Sequence, residues 1–178
     1  MSGNGKGLKL GIMISQRPAT LEDIPLIRQL AGVAFPATYA HLLSQEQLDY
    51  MMDWMYSEES LKAQMTGGHS YFIAQLDGQD CGYVSVEQEG EHQFHLQKIY
   101  VLPEFQGRKV GEFLFQFVVD YVSKKHPGPC ELRLNVNRYN KAVTFYKHMG
   151  MHQVDEGDFP IGHGFYMTDY IMGLDLNQ

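Results

Sequence analysis

The sequence predicts an α+β domain in which mostly antiparallel strands surround one strand–loop–helix unit. This unit begins at residues 94–102, which are rich in β-branched and aromatic side chains. Pro103 ends the strand, and an amphipathic helical pattern follows Gly111. Before the unit, two apolar runs flank an Asp-Gly pair at residues 77–78, which is typical of a hairpin. After it, residues 131–136 form a strand-like run that lies parallel to the first if the connection is a right-handed crossover.

The chain of 178 residues is most simply one domain with a substantial core. We expect a flexible, glycine-rich tail at residues 1–12 and one domain over residues 13–178. A strand is predicted at residues 14–17, and a helix begins at the capping box of residues 20–23 and is separated from the next helix by Pro36. The other predicted elements are helices at 44–55 and 57–65, a helix from Gly107 or Arg108 to about Lys125, a short helix at 140–150, and a closing hairpin of strands 151–154 and 165–176.

The composition is acidic, with 14 Lys and Arg against 21 Asp and Glu and a net charge of −7. Such a chain has no basic footprint for a nucleic acid and would attract polycations, although this charge also simply keeps a small protein soluble. Cys81 and Cys130 lie in apolar runs without zinc-site spacing, which indicates buried, reduced thiols of a cytoplasmic protein. No run approaches ~18 apolar residues, and no signal-peptide pattern is present, so we expect no membrane partner.

The loop between the central strand and its helix is the first candidate site. Gly107 and Gly111 bracket it, and its successive backbone N–H groups have no helical partner, so they can point at one anion. The nucleoside-triphosphate loop and the dinucleotide fingerprint are both excluded, because their glycine patterns are absent. By itself, the loop leaves a phosphate site and a plain turn open as alternatives.

The same loop resembles the acetyl-CoA signature of the GCN5-related N-acetyltransferases (GNAT), Gln/Arg-x-x-Gly-x-Gly/Ala. The signature is met at Gln106 and Gly111, but its middle glycine is Lys109 here. Lys109 can still present its N–H group, and its ammonium can lie near a phosphate, so we treat the change as tolerable.

A second block strengthens the resemblance. The run that contains Asn140, Ala142, Tyr146 and Gly150 resembles the family's Asn…Ala…Tyr…Gly-Phe block, one strand and turn after the loop. Within the family, the chain is most similar to the PaiA-type polyamine acetyltransferases. The resemblance implies the GNAT fold, a mixed and mostly antiparallel central sheet of about seven strands flanked by helices. It also implies that the early helices wall the acceptor groove, where some of three aromatic residues would touch the substrate. These residues are Phe35, Tyr39 and Trp54.

The resemblance implies acetyl-CoA as the co-substrate. Its pantetheine would pair like a strand with the backbone of residues 99–101, and its pyrophosphate would rest on N–H groups at the helix N-terminus, with added charge from Arg108 and Lys109. The residues implied to bind the cofactor are Ile99, Tyr100, Val101, Gln106, Gly107, Arg108, Lys109, Val110, Gly111, Glu112, Asn140 and Tyr146.

Attack on the thioester requires a neutral amine, so a base must take a proton. In PaiA-like relatives, a glutamate tends to stand on the strand before the loop, at the positions of His95 and Gln97 here. Gln97 cannot accept a proton at neutral pH, whereas His95 can. A histidine without a catalytic part, Glu87 on the neighbouring strand, and an ordered chain of water remain alternatives.

The leaving thiolate needs a proton, and Tyr146 matches the family's tyrosine that acts as general acid; a merely packed aromatic residue is the alternative. Asn140 matches the asparagine that contacts the cofactor, although a helix N-cap would explain it equally well. The histidines have no metal-ligand spacing, so we expect no metal. Since neither motif contains a cysteine, we expect direct transfer in a ternary complex.

The sequence therefore predicts an acetyl-CoA-dependent N-acetyltransferase. The acidic charge and the PaiA-like pattern favour a polyamine or another small primary amine as acceptor. A peptide or protein amino terminus is the second choice, and a homodimer is left open. A non-catalytic acyl-CoA sensor of the same fold is the alternative of another class, because Lys109 and Gln97 are also changes that a degenerate member would carry.

Overall fold

A computed structural model describes residues 13–178 of the chain; the tail predicted at residues 1–12 lies outside the described residues. The core is one seven-stranded sheet with the strand order β1-β2-β3-β4-β5-β7-β6. All neighbouring strands are antiparallel except β4 and β5. The strands are β1 (Ile14–Pro18), β2 (Ser70–Leu76), β3 (Gln79–Gly90), β4 (Gln93–Val101), β5 (Cys130–Asn137), β6 (His152–Gly162) and β7 (Phe165–Leu176).

Two layers of helices cover the sheet. The helices are α1 (Ile24–Tyr39), α2 (Gln45–Tyr56), α3 (Glu58–Thr66), α4 (Val110–Lys125) and α5 (Ala142–His148). The buried apolar residues of α4 pack with one set of strand side chains, and those of α1, α2 and α3 pack with the alternate set. We call these sides the α4 face and the α1–α3 face. The predicted α+β architecture is confirmed.

Two tight turns lie where the sequence predicts them. Asp77 and Gly78 both have positive φ, 50° and 80°, as a two-residue hairpin turn requires. His163 and Gly164 turn the chain in the same way between β6 and β7, with φ of 52° and 76°. Strand β6 is longer than predicted, because the polar run after Val154 continues to pair with β7 as far as Gly162.

Helix α1 continues past Pro36, where the sequence indicates a break. The helix ends at Tyr39, and the N–H of Ala40 donates to the carbonyl of Pro36 at 2.8 Å. Pro36 has no N–H group, so it leaves the carbonyl of Gly32, one turn earlier, without its usual helical donor. The extension matters because it brings Tyr39 to the middle of the sheet.

Strands β4 and β5 separate soon after they meet. Their parallel pairing covers only residues 93–95 of β4, although this strand continues to Val101. Residues 96–101 therefore have no strand partner on the side of β5. Here Ser85 of β3 pairs with Lys98 and Val86 pairs with Leu96, so Gln97 is an extra residue in β4. Such a β-bulge bends its strand and shifts the alternation of its side chains.

Candidate active site

A cleft of about 830 Å³ opens where β4 and β5 separate. Its walls come from the end of α1, the unpaired part of β4, the loop before α4, the second half of β5 and the start of α5. An extended ligand that enters this cleft meets backbone N–H and C=O groups that no neighbouring strand uses. The volume is in the range of cofactor and substrate pockets.

The loop before α4 makes one end of the cleft. Gly107 and Lys109 both have left-handed backbone conformations, with φ of 77° and 67°. Helix α4 therefore begins at Val110, not at residue 107 or 108 as the sequence suggests, because a right-handed helix cannot include these two residues. The N–H groups at the start of α4 have no intrahelical acceptor and lie at the positive end of the helix dipole.

Lys109 is the residue at which the loop departs from the family signature. Its φ of 67° and ψ of 15° are favourable for glycine and strained for a residue with a Cβ atom. This geometry gives a physical reason for a glycine in the signature. The main-chain path is nevertheless kept, and Lys109 lines the cleft.

The structure brings together most of the predicted cofactor residues. Arg108 is the exception, because it is absent from the cleft lining and its guanidinium lies 5.8 Å from the centre of the Phe105 ring. The predicted residues that line the cleft are Ile99, Tyr100, Val101, Gln106, Gly107, Lys109, Val110, Gly111, Glu112, Asn140 and Tyr146.

Tyr146 lies on α5 and packs against Phe115 and Phe145, with ring centroids 6.3 Å and 5.4 Å away. Only 7% of this residue is exposed. Burial raises the pKa of the Tyr146 phenol above its usual value, and the nearby Tyr39 raises it further. The side chain is therefore protonated at neutral pH, which a proton donor requires.

Asn140 has two contacts that bear on its predicted role. Its side-chain oxygen accepts a hydrogen bond of 2.9 Å from the N–H of Ala142, the first residue of α5. It also lines the cleft. A capping role and a ligand contact are thus both compatible with its position.

His95, the predicted base, is absent from the residues that line the cleft. Its Nδ1 lies 3.4 Å from a carboxylate oxygen of Glu89, and burial lowers the pKa of its imidazole. Glu87, the alternative base, contacts His69 and does not line the cleft either. The base role of these two residues remains a prediction that their placement does not support.

Among the three aromatic residues expected at the acceptor groove, Tyr39 lines the cleft. Its hydroxyl accepts a hydrogen bond of 3.4 Å from the hydroxyl of Tyr100. Phe35 is buried and does not line the cleft; its ring packs at a tilt against that of Tyr39, with centroids 4.7 Å apart. Trp54 is 45% exposed and stacks on Tyr50, so it contributes nothing to the cleft wall.

Two buried ionisable residues were not predicted. Lys98 is 7% exposed and Asp169 is 1% exposed. Each is a charged residue inside an otherwise apolar strand pattern, and this signal was available in the sequence. Lys98 points into the α1–α3 face, where its Nζ lies 2.6 Å from the hydroxyl of Tyr71. Burial lowers the pKa of this ammonium to about 7.

Neither a metal-binding cluster nor a membrane-spanning helix is found within residues 13–178. Within this range, no group of three or more His, Cys, Asp or Glu side chains is placed to hold a metal ion. None of the helices described above is both long and apolar enough to cross a membrane.

Comparison with known proteins identifies relatives of the whole fold. The spermidine N(1)-acetyltransferase of Thermoplasma acidophilum is 26% identical over 154 residues, which are 82% of this chain and 94% of that protein. The crystal structure of the PaiA N-acetyltransferase of Thermoplasma acidophilum, in complex with coenzyme A, has a TM-score of 0.73 at 23% identity and covers 90% of this chain and 98% of its own. A ribosomal-protein-alanine N-acetyltransferase from Brucella melitensis has a TM-score of 0.64 at 18% identity, over 91% and 99% of the two chains.

The likeness to solved structures confirms the predicted fold, with its seven-stranded sheet and its flanking helices. The family assignment rests on a separate finding. The family model described as an acetyltransferase (GNAT) domain matches residues 39–173, which include most of the cleft and both motifs. The chain therefore belongs to the GNAT acetyltransferase family, and it is an acyltransferase that uses acetyl-CoA as its co-substrate.

Proposed function

We propose that this enzyme transfers the acetyl group of acetyl-CoA directly to a small primary amine, and that a polyamine is the preferred class of acceptor. The observation that carries the proposal is the placement of a buried, protonated Tyr146 in the same cleft as the unpaired part of β4 and the loop before α4. Two points support a polyamine. One relative is named a spermidine acetyltransferase, and the chain has a net charge of −7, which attracts polycations.

The cleft residues fit acetyl-CoA in two places. Backbone groups of residues 99–101 are free to hold an extended chain, as a neighbouring strand would. The N–H groups of Val110, Gly111 and Glu112 are suited to the pyrophosphate, because they begin a helix. When bound, acetyl-CoA supplies the activated acetyl group as a thioester.

Tyr146 then has one task, which is to give its phenolic proton to the leaving sulfur. Burial makes the phenol a weaker acid, but the same apolar surroundings raise the pKa of a thiol formed beside it, so the phenolic proton can pass to the sulfur as the bond to carbon breaks. Because no cysteine lines the cleft, we propose direct transfer without a cysteine acyl-enzyme, in which amine and thioester are bound together.

The enzyme is proposed to work in the cytoplasm, which its two free and buried cysteines, Cys81 and Cys130, support. A homodimer remains a prediction. A peptide amino terminus is the second candidate for the acceptor, because a structural neighbour acetylates a ribosomal protein. The sensor alternative differs from both, since it binds acetyl-CoA without turnover.

The test is release of CoA thiol from acetyl-CoA with a panel of amines that includes spermidine and a short peptide. We expect release that depends on spermidine and falls about 100-fold or more in kcat for Tyr146→Phe. Tyr121→Phe is the matched control, because this tyrosine packs on Phe72 and Phe117, away from the cleft.

Each other outcome identifies an alternative. If the peptide is used and spermidine is not, the acceptor class is wrong. If no amine supports release while acetyl-CoA still raises the melting temperature, the sensor alternative is correct.

A further inference from the structure

Asp169 is a carboxylate held inside the protein beside the cleft. It lies on β7 opposite Asn137 of β5, and it is one of three buried polar or charged residues among those described, together with Ser85 and Lys98. Its side chain faces the α1–α3 face, on the same side of the sheet as that of Asn135, with which it forms a hydrogen bond.

The contacts of Asp169 are few for a buried acid. Asn135 donates to its Oδ2 at 3.3 Å, and within residues 13–178 no lysine, arginine or histidine nitrogen lies within 4 Å of its carboxylate. The charge of the Arg138 guanidinium lowers the pKa of Asp169. This guanidinium is, however, paired with Asp158 at 2.7 Å and with Glu156 at 3.8 Å. An unpaired buried carboxylate weakens the fold, so a purely structural role would be better served by an amide.

The carboxylate lies one side chain away from the cleft. Tyr39 and Asn135 line the cleft, and Tyr39 and Asp169 together line a second, small cavity. This cavity has a volume of about 10 Å³, which is close to the space that one water molecule needs. The other lining residues, Leu43, Gln47, Met51, Asn137 and Met167, are uncharged. Tyr39 is thus the shared wall between Asp169 and the cleft.

Tyr39 also lies near Tyr146, the proposed general acid. Tyr39 is close enough to Tyr146 and to Asp169 for each pair to interact electrostatically. The Tyr39 side chain therefore separates the Asp169 carboxylate from the part of the cleft that holds Tyr146. His95 and Glu87 do not have this relation to the cleft.

We propose that Asp169 is the base for the acceptor amine. It takes a proton from the amine through the small cavity, while Asn135 and Tyr39 hold the amine in the cleft. This assignment rests on the proposed function and adds the base that it lacks. It also explains the preference for an amine, because a buried negative charge behind the cleft attracts a cationic acceptor.

The proposed step is balanced in atoms and protons. The cationic acceptor first gives one proton to solvent and becomes a neutral amine. The amine nitrogen then forms a bond to the acetyl carbon, and the bond from that carbon to sulfur breaks, so the sulfur leaves with the electron pair. The nitrogen becomes acidic as it bonds and loses one proton, which Asp169 takes through one water. Tyr146 gives one proton to the sulfur and regains one from solvent, to which Asp169 returns its own. One amine and one thioester thus give one amide and one thiol.

The electrostatics of the site agree with this role. Burial raises the pKa of the Asp169 carboxyl, while the bond from Asn135 and the charge of Arg138 lower it in part. A carboxylate with a raised pKa is a stronger base than one in water. The titratable groups that face it are Tyr39 from α1 and Arg138 after β5.

The experiment compares Asp169→Asn with wild type in amine-dependent CoA release, with Asp175→Asn as control. Asp175 is exposed on the same strand, at its far end. We expect kcat to fall about 100-fold or more in Asp169→Asn, and the low-pH limb of the kcat profile to disappear. Asp169→Glu should regain part of the activity, because a carboxylate is restored.

Two binding measurements do not depend on turnover. The rise of melting temperature with acetyl-CoA should be the same in wild type and Asp169→Asn, whereas the rise with spermidine alone should be lost in the variant. The melting temperature without ligand should not fall, because an unpaired buried charge is removed.

The inference is overturned if Asp169→Asn keeps kcat within twofold of wild type and retains the pH limb. It is also overturned if the variant loses activity together with its melting temperature, and Asp169→Glu restores neither, because Asp169 would then be structural. If the wild type itself uses no amine, the proposed function fails, and this assignment fails with it.

Discussion

The two faces of the sheet are built from different side chains. On the α4 face, the buried residues of α4 are aliphatic or phenylalanine, such as Leu114, Phe115 and Val118. On the α1–α3 face, buried tyrosines lie among the aliphatic side chains between helices and sheet, and Lys98 contacts two of them. The buried tyrosines on this face include Tyr56, Tyr71 and Tyr83.

The difference has an energetic cause. A hydrocarbon core needs only close packing, whereas each buried hydroxyl needs a partner. On the α1–α3 face these partners are mostly each other: the hydroxyls of Tyr56 and Tyr83 are 2.7 Å apart, and Lys98 donates to Tyr71. The α4 face is therefore built mainly on hydrocarbon packing, although it includes Tyr146, whereas the α1–α3 face holds several buried hydroxyl groups and the Lys98 ammonium. The cleft lies where the two meet.

The largest expected effect is on the α4 face. Leu114→Ala should lower the free energy of unfolding by about 2–5 kcal/mol, because the side chain is fully buried and its loss leaves a cavity. Urea unfolding followed by circular dichroism measures the change. The matched control is Val33→Ala on the outer side of α1, where 52% of the residue is exposed and the change should stay within about 0.5 kcal/mol. If the free energy of unfolding of Leu114→Ala falls by less than about 1 kcal/mol, the neighbouring side chains of the α4 face must move to fill the cavity.

On the α1–α3 face, Lys98→Met should instead stabilise the protein at pH 6, by up to about 4 kcal/mol. The pKa of Lys98 is about 7 in the folded protein and 10.5 unperturbed, so between these values the unfolded chain holds more protons. Wild-type stability therefore rises with pH from about 7 to about 10.5, and the penalty for burying the charge is fully present below pH 7.

The measurement is urea unfolding of both proteins at pH 6 and pH 9. The stability difference between Lys98→Met and wild type should shrink at pH 9, where the wild-type lysine is neutral in the folded state. An equal difference at the two values would mean that Lys98 remains charged among the tyrosines. The hydrogen bonds of Lys98 to Gln64 and Tyr71 are lost in either case and offset part of the gain.

The smallest expected change in the free energy of unfolding is for a substitution in the loop before α4, which lies outside both faces. Lys109→Gly should raise the free energy of unfolding by about 0.5–1 kcal/mol, because the strain of the left-handed conformation exceeds the added flexibility of glycine in the unfolded chain. Lys109→Ala is the matched control, since it removes the same ammonium and keeps the Cβ atom. Thermal unfolding should separate the two variants, and equal stability would contradict strain at this residue.

The local patterns were the parts of the fold that the sequence made predictable. Hairpin turns, the loop before α4 and the placement of Tyr146 depend on neighbouring residues, and the structure has them in the predicted order. Pro36 misled the prediction, because a proline inside a helix removes one hydrogen bond and crowds the carbonyl one turn before, yet it does not always end the helix.

The site was harder to predict, because it depends on which face each strand residue takes. The bulge at Gln97 shifts the alternation of side chains between the two faces of the sheet in β4. The number of residues between His95 and Ile99 therefore does not predict on which face the His95 side chain lies. Asp169 could be noticed as a charge in an apolar strand, but its relation to Tyr39 comes from the packing of α1 on the sheet.

The separation of β4 from β5 also bears on how the protein avoids aggregation. An unpaired strand at the outside of a sheet is a template on which another chain can add itself. Here the unpaired stretch, residues 96–101, lies in the middle of the sheet and is flanked by α1 and α5. A folded neighbour cannot insert a strand into this gap, whereas a thin, flexible molecule can. The protein thus keeps an unpaired strand edge that is screened from the edge strands of folded neighbours and remains open to slender, flexible molecules.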